Sequence, residues 1–243
     1  MPFTLPSVRI LNQPVHNVNM DAALSAIDSF IKARGPHHVV TADASMLVMA
    51  QDDAALRGII GKADLVTPDS VGILWAAKRQ GTPLQERVSG VDIVENLCAR
   101  SAEYGYRIFF FGAAPGIADK AAERMRARYP GTQIVGTRDG FFSDSESDAI
   151  ADSIRHSNAD VVCVAMGIPK QEKWIEANRD RLNASILIGV GGTLDVLSGN
   201  TRRAPRWMQK LALEWLWRVV NNPKKISKVM LLPRFVTLVR RAE

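Results

Sequence analysis

Three short apolar runs in the second half of the chain, each followed by a helical pattern, constrain the fold more than any other feature. They are YRIFFFG at 106–112, DVVCVAM at 160–166 and SILIGV at 185–190. Each is short for a core helix and none alternates polar with apolar positions, so each reads as a strand buried on both faces. The stretches at 117–129, 146–157 and 169–182 read as amphipathic helices, with a further strand at 132–135. Parallel neighbours need a long crossover connection, and helices supply it. The first half keeps the rhythm, with strands at 8–11, 37–41 and 64–67. Asn19 caps a helix whose Leu24, Ile27, Phe30 and Ile31 share a face, and Gly35-Pro36 stops it. Two short helical patterns run on to 62, and helices are predicted at 70–80 and 91–104. The expected fold is α/β: a Rossmann-like, mostly parallel sheet covered by helices, occupying residues 1–199.

Charge divides the chain near residue 200. The whole sequence carries 31 basic and 25 acidic residues, a net charge of +6. Residues 202–243 alone hold eleven basic and two acidic side chains, so a mildly acidic body carries a strongly basic tail. A helical pattern at 206–221 is broken by Pro223. A second stretch, 224–239, mixes Ile226, Val229, Met230, Leu231, Leu232, Phe235 and Leu238 with Lys224, Lys225, Lys228 and Arg234. Residues 200–243 therefore read as a basic amphipathic helical appendage. Such asymmetry suits an anionic partner: nucleic acid, an acidic membrane surface, or phosphates.

Other classes are excluded quickly. Apolar residues make up 47% and charged residues 23%, which is not the composition of a disordered chain. Two cysteines, Cys98 and Cys163, build no disulfide framework, and Cys163 reads as a small apolar residue of its strand. His16, His37, His38 and His156 have no zinc-ligand spacing, and the His37-His38 pair reads as strand-edge residues. No run reaches the ~18 apolar residues of a spanning helix, and residues 1–10 have no signal-peptide pattern. The expectation is a soluble cytoplasmic protein without metal or cofactor. Trp207, Trp215 and Trp217 read as helix packing or membrane-interface side chains.

Open α/β sheets place ligands at the carboxyl ends of their strands, so the loops there supply the candidates. Gly112 to Gly116 joins a strand to a helix, where small residues let a phosphate approach backbone N–H groups; a structural turn would look the same. In the 167–172 loop, Gln171 sits in a first helical turn at the rim, or merely caps it. The loop from Gly189 to Asp195 carries Gly191 and Gly192, and Asp195 could meet a ribose or base edge or be a solvated loop residue. Asp69, at a strand end, is either a general base in a closed site or a helix N-cap. Asp43, in Thr41-Ala-Asp43 at a neighbouring strand end, could face it. Arg87 is a loop cation in the same half.

Taken in order, these motifs resemble the WecG/TagA/CpsF family of bacterial glycosyltransferases, glycosyltransferase family 26. The blocks are T-x-D at 41–43, T-P-D-S at 67–70, E-R-V-S-G at 86–90, F-G-A-A-P-G at 111–116 and G-F-F at 140–142. They continue with M-G-I-P-K-Q-E at 166–172, G-V-G-G-T-L-D at 189–195, S-G-N-T-R-R-A-P-R-W from 198 and L-E-W-L-W-R ending at 218. The resemblance implies a metal-independent, inverting transfer from a UDP-sugar to a polyprenyl-diphosphate-linked sugar acceptor at the membrane. The family donor is often UDP-N-acetylmannosamine or its uronic acid, and the acceptor undecaprenyl-diphosphate-N-acetylglucosamine. By the same resemblance Asp69 is the general base, and Thr41, Arg87 and Gln171 line the donor-sugar and acceptor pocket. Gly112, Gly116, Gly191, Gly192 and Asp195 lie on the nucleotide side, and Arg218 reaches the diphosphate. The chain departs from the family pattern in Asp43, usually Asn, and Ser70, often Gly. An acid at 43 would repel an anionic donor such as a uronate, and leaves the donor sugar open.

The basic tail fits that reading. Each cation near an anionic leaflet contributes roughly 1 kcal/mol, enough in sum to hold the protein at the inner face of the cell membrane without a spanning helix. Two other readings are weighed. A nucleotide-sugar epimerase or dehydrogenase would need a dinucleotide fingerprint after the first strand, and none is present. A nucleic-acid-binding protein could use the basic tail, but the tail is as apolar as it is basic and contains no known nucleic-acid module. A homo-oligomer is compatible with everything above.

Overall fold

The computed structural model describes residues 5–205, 208, 217 and 230–241. Its centre is a six-stranded sheet in which every neighbouring pair is parallel. The strands are β3 (His37–Ala42), β4 (Leu65–Pro68), β5 (Arg107–Gly112), β6 (Gln133–Arg138), β7 (Val161–Ala165) and β8 (Ile186–Gly189), in the order β4-β3-β8-β7-β5-β6. The expected 8–11 strand is β1 (Ser7–Ile10), and it forms an antiparallel hairpin with β2 (Gln13–His16), which the sequence reading did not contain. Helices α1 (Met20–Ala33), α2 (Ala44–Asp52), α3 (Ala54–Lys62), α4 (Val71–Arg79) and α5 (Gly90–Tyr104) belong to the first half. In the second half lie α6 (Ile117–Arg128), α7 (Ser147–His156), α8 (Lys170–Leu182) and the short α9 (Thr193–Leu197); α10 (Leu232–Arg241) ends the described chain.

Burial explains the unbroken apolar runs. Along β5, Ile108 and Phe110 enter a core with residues of α1, α5, α6 and α9. Phe109 and Phe111 point the other way, to Ile150 and Ile154 of α7 and Trp174 and Ile175 of α8. Both faces of the strand are covered, so every position after Arg107 at its start is apolar. A third core joins the β1–β2 hairpin to α2, α3 and α4 beside Val40 and Val66.

The last helix shares that third core. Phe235 is 1% exposed and Val239 fully buried, and the Phe235 ring lies 6.4 Å from that of Trp75 on α4. Arg234, expected among the membrane-facing cations, makes a two-point ion pair with Asp52 at the end of α2. Lys224, Lys225, Lys228, Arg218, Trp207 and Trp215 lie outside the described residues, while the Trp217 indole N–H donates to the Arg202 carbonyl. Truncating Phe235 to Ala leaves a cavity under α10 and is expected to lower unfolding free energy by ~3 kcal/mol, the low end of the scale for a buried ring. A shift in the urea midpoint of the full chain checks it; an unchanged midpoint would mean that α10 adds nothing to the core.

Candidate active site

The crevice is built where strands end. Helix α6 carries the chain from β5 to β6 on one side, while α8 carries it from β7 to β8 on the other. Adjacent strands whose crossovers diverge leave a gap at their carboxyl edge. Gly112 stands at this edge with φ 121°, and a Cβ there would lie 2.4 Å from the Ala165 carbonyl oxygen. Only glycine lets β5 and β7 close this tightly. Gly116 caps α6 with open space around it, and Gly192 stands at the same point of α9.

The second half of the crevice forms around β3 and β4. The Asp69 amide donates to the Ala42 carbonyl (2.8 Å), which carries the parallel pairing one residue past β4. The Val88 amide donates to the Pro68 carbonyl (3.0 Å), which brings the 86–90 loop alongside. A Cβ on Gly90 would lie 3.4 Å from Thr41 Oγ1 and 3.5 Å from Thr193 Oγ1, so β3, α5 and α9 meet at one point. Thr41 is 6% exposed and its hydroxyl donates to the Gly189 carbonyl (2.7 Å). Thr41, Asp69, Arg87 and the 189–193 loop are thus gathered at one edge.

Two carboxylates exchange the roles that the sequence left open. Asp43 is the N-cap of α2: it accepts from the Met46 amide (2.8 Å) and from the Ser45 hydroxyl (2.6 Å). Asp69 does not cap α4. Ser70 does, accepting from the Ile73 amide (3.4 Å) and also from the Ala44 amide at the start of α2 (3.2 Å). The capping alternative for Asp69 is therefore overturned, because the next residue carries the hydroxyl that reaches the helix amides. Asp69 is half-buried with Oδ1 out of contact with solvent.

Beside it stands a group that the sequence reading missed. Arg203 makes a two-point ion pair with Asp92 in the first turn of α5 (2.6 and 2.7 Å), and Ser89, the cap of that helix, donates to the same carboxylate. Burial alone would raise the Asp92 carboxyl, but the bonds from Arg203 and Ser89, with the charges of Arg203 and Arg87, hold it below its ordinary value. The bond and charge of Asp92 raise Arg203 in turn against its burial, and the charges of Glu95 and Asp69 add to the effect. Arg203 lies in a quoted sequence block but was read only as one of the tail's charges. A folded-state value below the unfolded one gives stability that is complete above the ordinary aspartate pKa of about 3.9 and is lost as pH falls through the lower value. The destabilisation by Asp92→Asn is therefore expected to be full between pH 5 and 7 and to shrink towards pH 3. Urea midpoints of both proteins across that range check it; a pH-independent difference would contradict it.

Gln171 is not a rim residue. It is 1% exposed, and its Oε1 accepts from the Gly167 and Gly191 amides, both at 3.0 Å. Its Nε2 donates to Glu172 Oε1 (2.9 Å), and Glu172 Oε2 faces His38 Nε2 (2.8 Å). Glu172 is fully buried and His38 1% exposed, so the edge assignment for His38 is corrected: it belongs to a buried polar chain. The Gly191 amide, expected on the nucleotide side, is taken up by Gln171. Asp195 is half-buried in α9, within reach of the Asn200 side-chain amide (3.3 Å). Among the described residues no three His, Cys, Asp or Glu side chains cluster to hold a metal ion, and no helix is long and apolar enough to cross a membrane.

Charged and polar side chains gathered at the carboxyl edge of a covered parallel sheet stand where open α/β folds place their ligands. The chain belongs to the WecG/TagA/CpsF family of glycosyl transferases, whose model matches residues 8–243. It is a glycosyltransferase. It is 34% identical over 205 residues to an N-acetylglucosaminyldiphosphoundecaprenol N-acetyl-beta-D-mannosaminyltransferase of Bacillus spizizenii, a match covering 84% of this chain and 79% of the relative. A protein of the same name from Bacillus subtilis is 29% identical over 235 residues, covering 96% of this chain and 91% of that one.

Proposed function

We propose that this enzyme transfers an N-acetylmannosamine-type sugar from a UDP-sugar to a sugar carried on undecaprenyl diphosphate, with inversion and without a metal ion. The observation that carries the reading is the position of Asp69: half-buried at the carboxyl edge, relieved of helix capping by Ser70, beside Thr41, Arg87 and the Arg203–Asp92 pair. Both named relatives are mannosaminyltransferases acting on a diphosphoundecaprenol-linked N-acetylglucosamine, which supports the donor sugar and the acceptor.

In a single displacement, Asp69 accepts the proton of the acceptor hydroxyl as its oxygen bonds to the anomeric carbon. The bond from that carbon to the diphosphate oxygen breaks on the opposite face, and UDP leaves with the electron pair. The configuration therefore inverts. Charge builds on the departing diphosphate, and fixed cations stabilise it best where water is excluded. We assign that role to Arg218. The 112–116 turn, Gly192 and Asp195 take the nucleotide; Thr41 and Arg87 take the sugar. Lys224, Lys225 and Lys228 bring the enzyme to the anionic inner face of the membrane, where the acceptor resides.

The test is a screen for UDP release over UDP-sugars, with a synthetic lipid-diphosphate-N-acetylglucosamine acceptor and EDTA present. UDP release from the N-acetylmannosamine donor that needs the acceptor and survives EDTA is the expected result. Release only on adding Mg²⁺ or Mn²⁺ would overturn the metal-free mechanism. No release from any UDP-sugar would overturn the donor assignment.

A further inference from the structure

The buried chain from His38 through Glu172 to Gln171 ends on two loops of the crevice, and its chemistry has a direction. A side-chain amide has two ends of nearly equal shape, one accepting and one donating. At Gln171 the accepting end meets two backbone N–H donors, those of Gly167 after β7 and Gly191 after β8. The other end meets Glu172 Oε1 at 2.9 Å. A reversed amide would set its NH₂ against two N–H groups and its oxygen against a carboxylate, so all three contacts would turn repulsive. The two backbone donors already favour this orientation, and the carboxylate adds the third contact, which holds the amide in place from its other end. Glu172 is in turn fixed by His38 at its other oxygen. None of the three residues is more than 1% exposed, so the chain is closed off from water.

Packing alone does not call for an acid at position 172. A methionine fills a similar volume, so shape does not require the carboxylate; what its removal costs is the partner of the buried His38 ring and of the Gln171 amide. We propose that Glu172, held by His38, is a positioning residue: it orients the Gln171 amide, and the amide sets the spacing of the Gly167 and Gly191 loops at the donor-binding edge. The inference rests on the UDP-sugar reading above for its kinetic consequence only. Loops held in the wrong place weaken the ground state and the transition state alike, and such a loss is read in KM rather than kcat.

Three substitutions in the full chain decide it. Glu172→Met keeps the volume and removes the acceptor; donor KM is expected to rise roughly tenfold with kcat changed by less than about twofold. Glu172→Gln keeps an oxygen for Gln171 and can be met by the other His38 tautomer, so it is expected to restore KM to within about twofold of the parent. A folded Met variant with the parent KM, or a Gln variant as impaired as the Met one, would overturn the proposal. Glu172→Asp withdraws the acceptor by one methylene, and amide hydrogen exchange reads its effect without any substrate, which also covers a Met variant that fails to fold. Exchange at Gly167 and Gly191 is expected to quicken at least ~10-fold while the amides within β7 and β8 keep their rates. No change at the two glycines, or equal acceleration throughout both strands, would overturn the positioning role. Failure of the parent enzyme to bind UDP would instead count against the donor reading, with the exchange pattern still deciding the loops.

Discussion

Asp69→Asn is expected to lower turnover by ~10²-fold or more, the scale of a lost general base, while UDP affinity and the melting temperature stay close to those of the parent. The separation of these effects follows from the geometry. A capping aspartate would lose ~1 kcal/mol or so of helix stability on losing its role, but α4 takes its cap from Ser70, and Asp69 is attached to β3 through its backbone amide. The substitution therefore changes the proton acceptor and little else. Calorimetric binding of UDP beside steady-state turnover makes the measurement. Near-normal turnover would remove Asp69 from the chemistry. A loss of UDP binding equal to the loss of rate would make it a donor ligand instead. Asp43 is a poor substitute in either case, because its carboxylate already accepts from the Met46 amide and the Ser45 hydroxyl.

The strands buried on both faces were legible because their burial leaves no polar position to confuse the pattern: β5, β7 and β8 lie within the runs expected for them, shorter by a residue or two at their ends. Asn19 was legible as a cap because its side chain needs only the amide of Ala22, three residues on. What failed was whatever depends on a neighbour distant in sequence. Strand β2 contains Pro14, which weakens a strand signal, yet Pro14 pairs with Arg9 in a two-stranded hairpin where a missing N–H is tolerated. His38 and Glu172 are 134 residues apart, and nothing local to either says that the other will be found 2.8 Å away. Arg203 was hidden differently: in a stretch crowded with cations, sequence cannot say which one will find Asp92. The amphipathic tail announced an apolar face but not its partner, which for Phe235 and Val239 is the α2–α4 core.

The choice between Asp69 and Ser70 shows how fine the limit is. Both residue types cap helices well, they are adjacent, and both precede the same helical pattern. Only the extra parallel bond from the Asp69 amide to Ala42 fixes Asp69 as the last residue of the strand side and leaves the capping position to Ser70. One residue of register thus separates a structural aspartate from a candidate base.

Gly189→Ala is expected to be strongly destabilising, because the methyl group enters the buried polar chain behind the crevice. The new Cβ would lie 2.3 Å from Glu172 Oε1 and 2.6 Å from Gln171 Nε2. Flexible side chains normally swing away from such a clash, but these two have nowhere to go: Gln171 is 1% exposed, Glu172 is fully buried, and Glu172 is held from behind by His38. The strand cannot retreat either, since Gly189 is paired with Val40 of β3 on one side and Val164 of β7 on the other. Overpacking costs ~1–3 kcal/mol, and a buried polar group left without its partner adds ~1–3 kcal/mol. A loss of about 3–5 kcal/mol in unfolding free energy is expected, with donor KM rising in whatever protein remains folded, because the Gly167 and Gly191 loops lose their common anchor. The double variant Gly189→Ala/Glu172→Ala identifies the cause. Removing the Glu172 carboxylate is itself destabilising in the parent, by ~3–5 kcal/mol where a buried pair is broken, but it vacates the space that the new methyl group needs. The two losses should therefore fall well short of adding. Strict additivity would mean that the alanine methyl is accommodated elsewhere and that the absence of a side chain at 189 has nothing to do with the buried carboxylate.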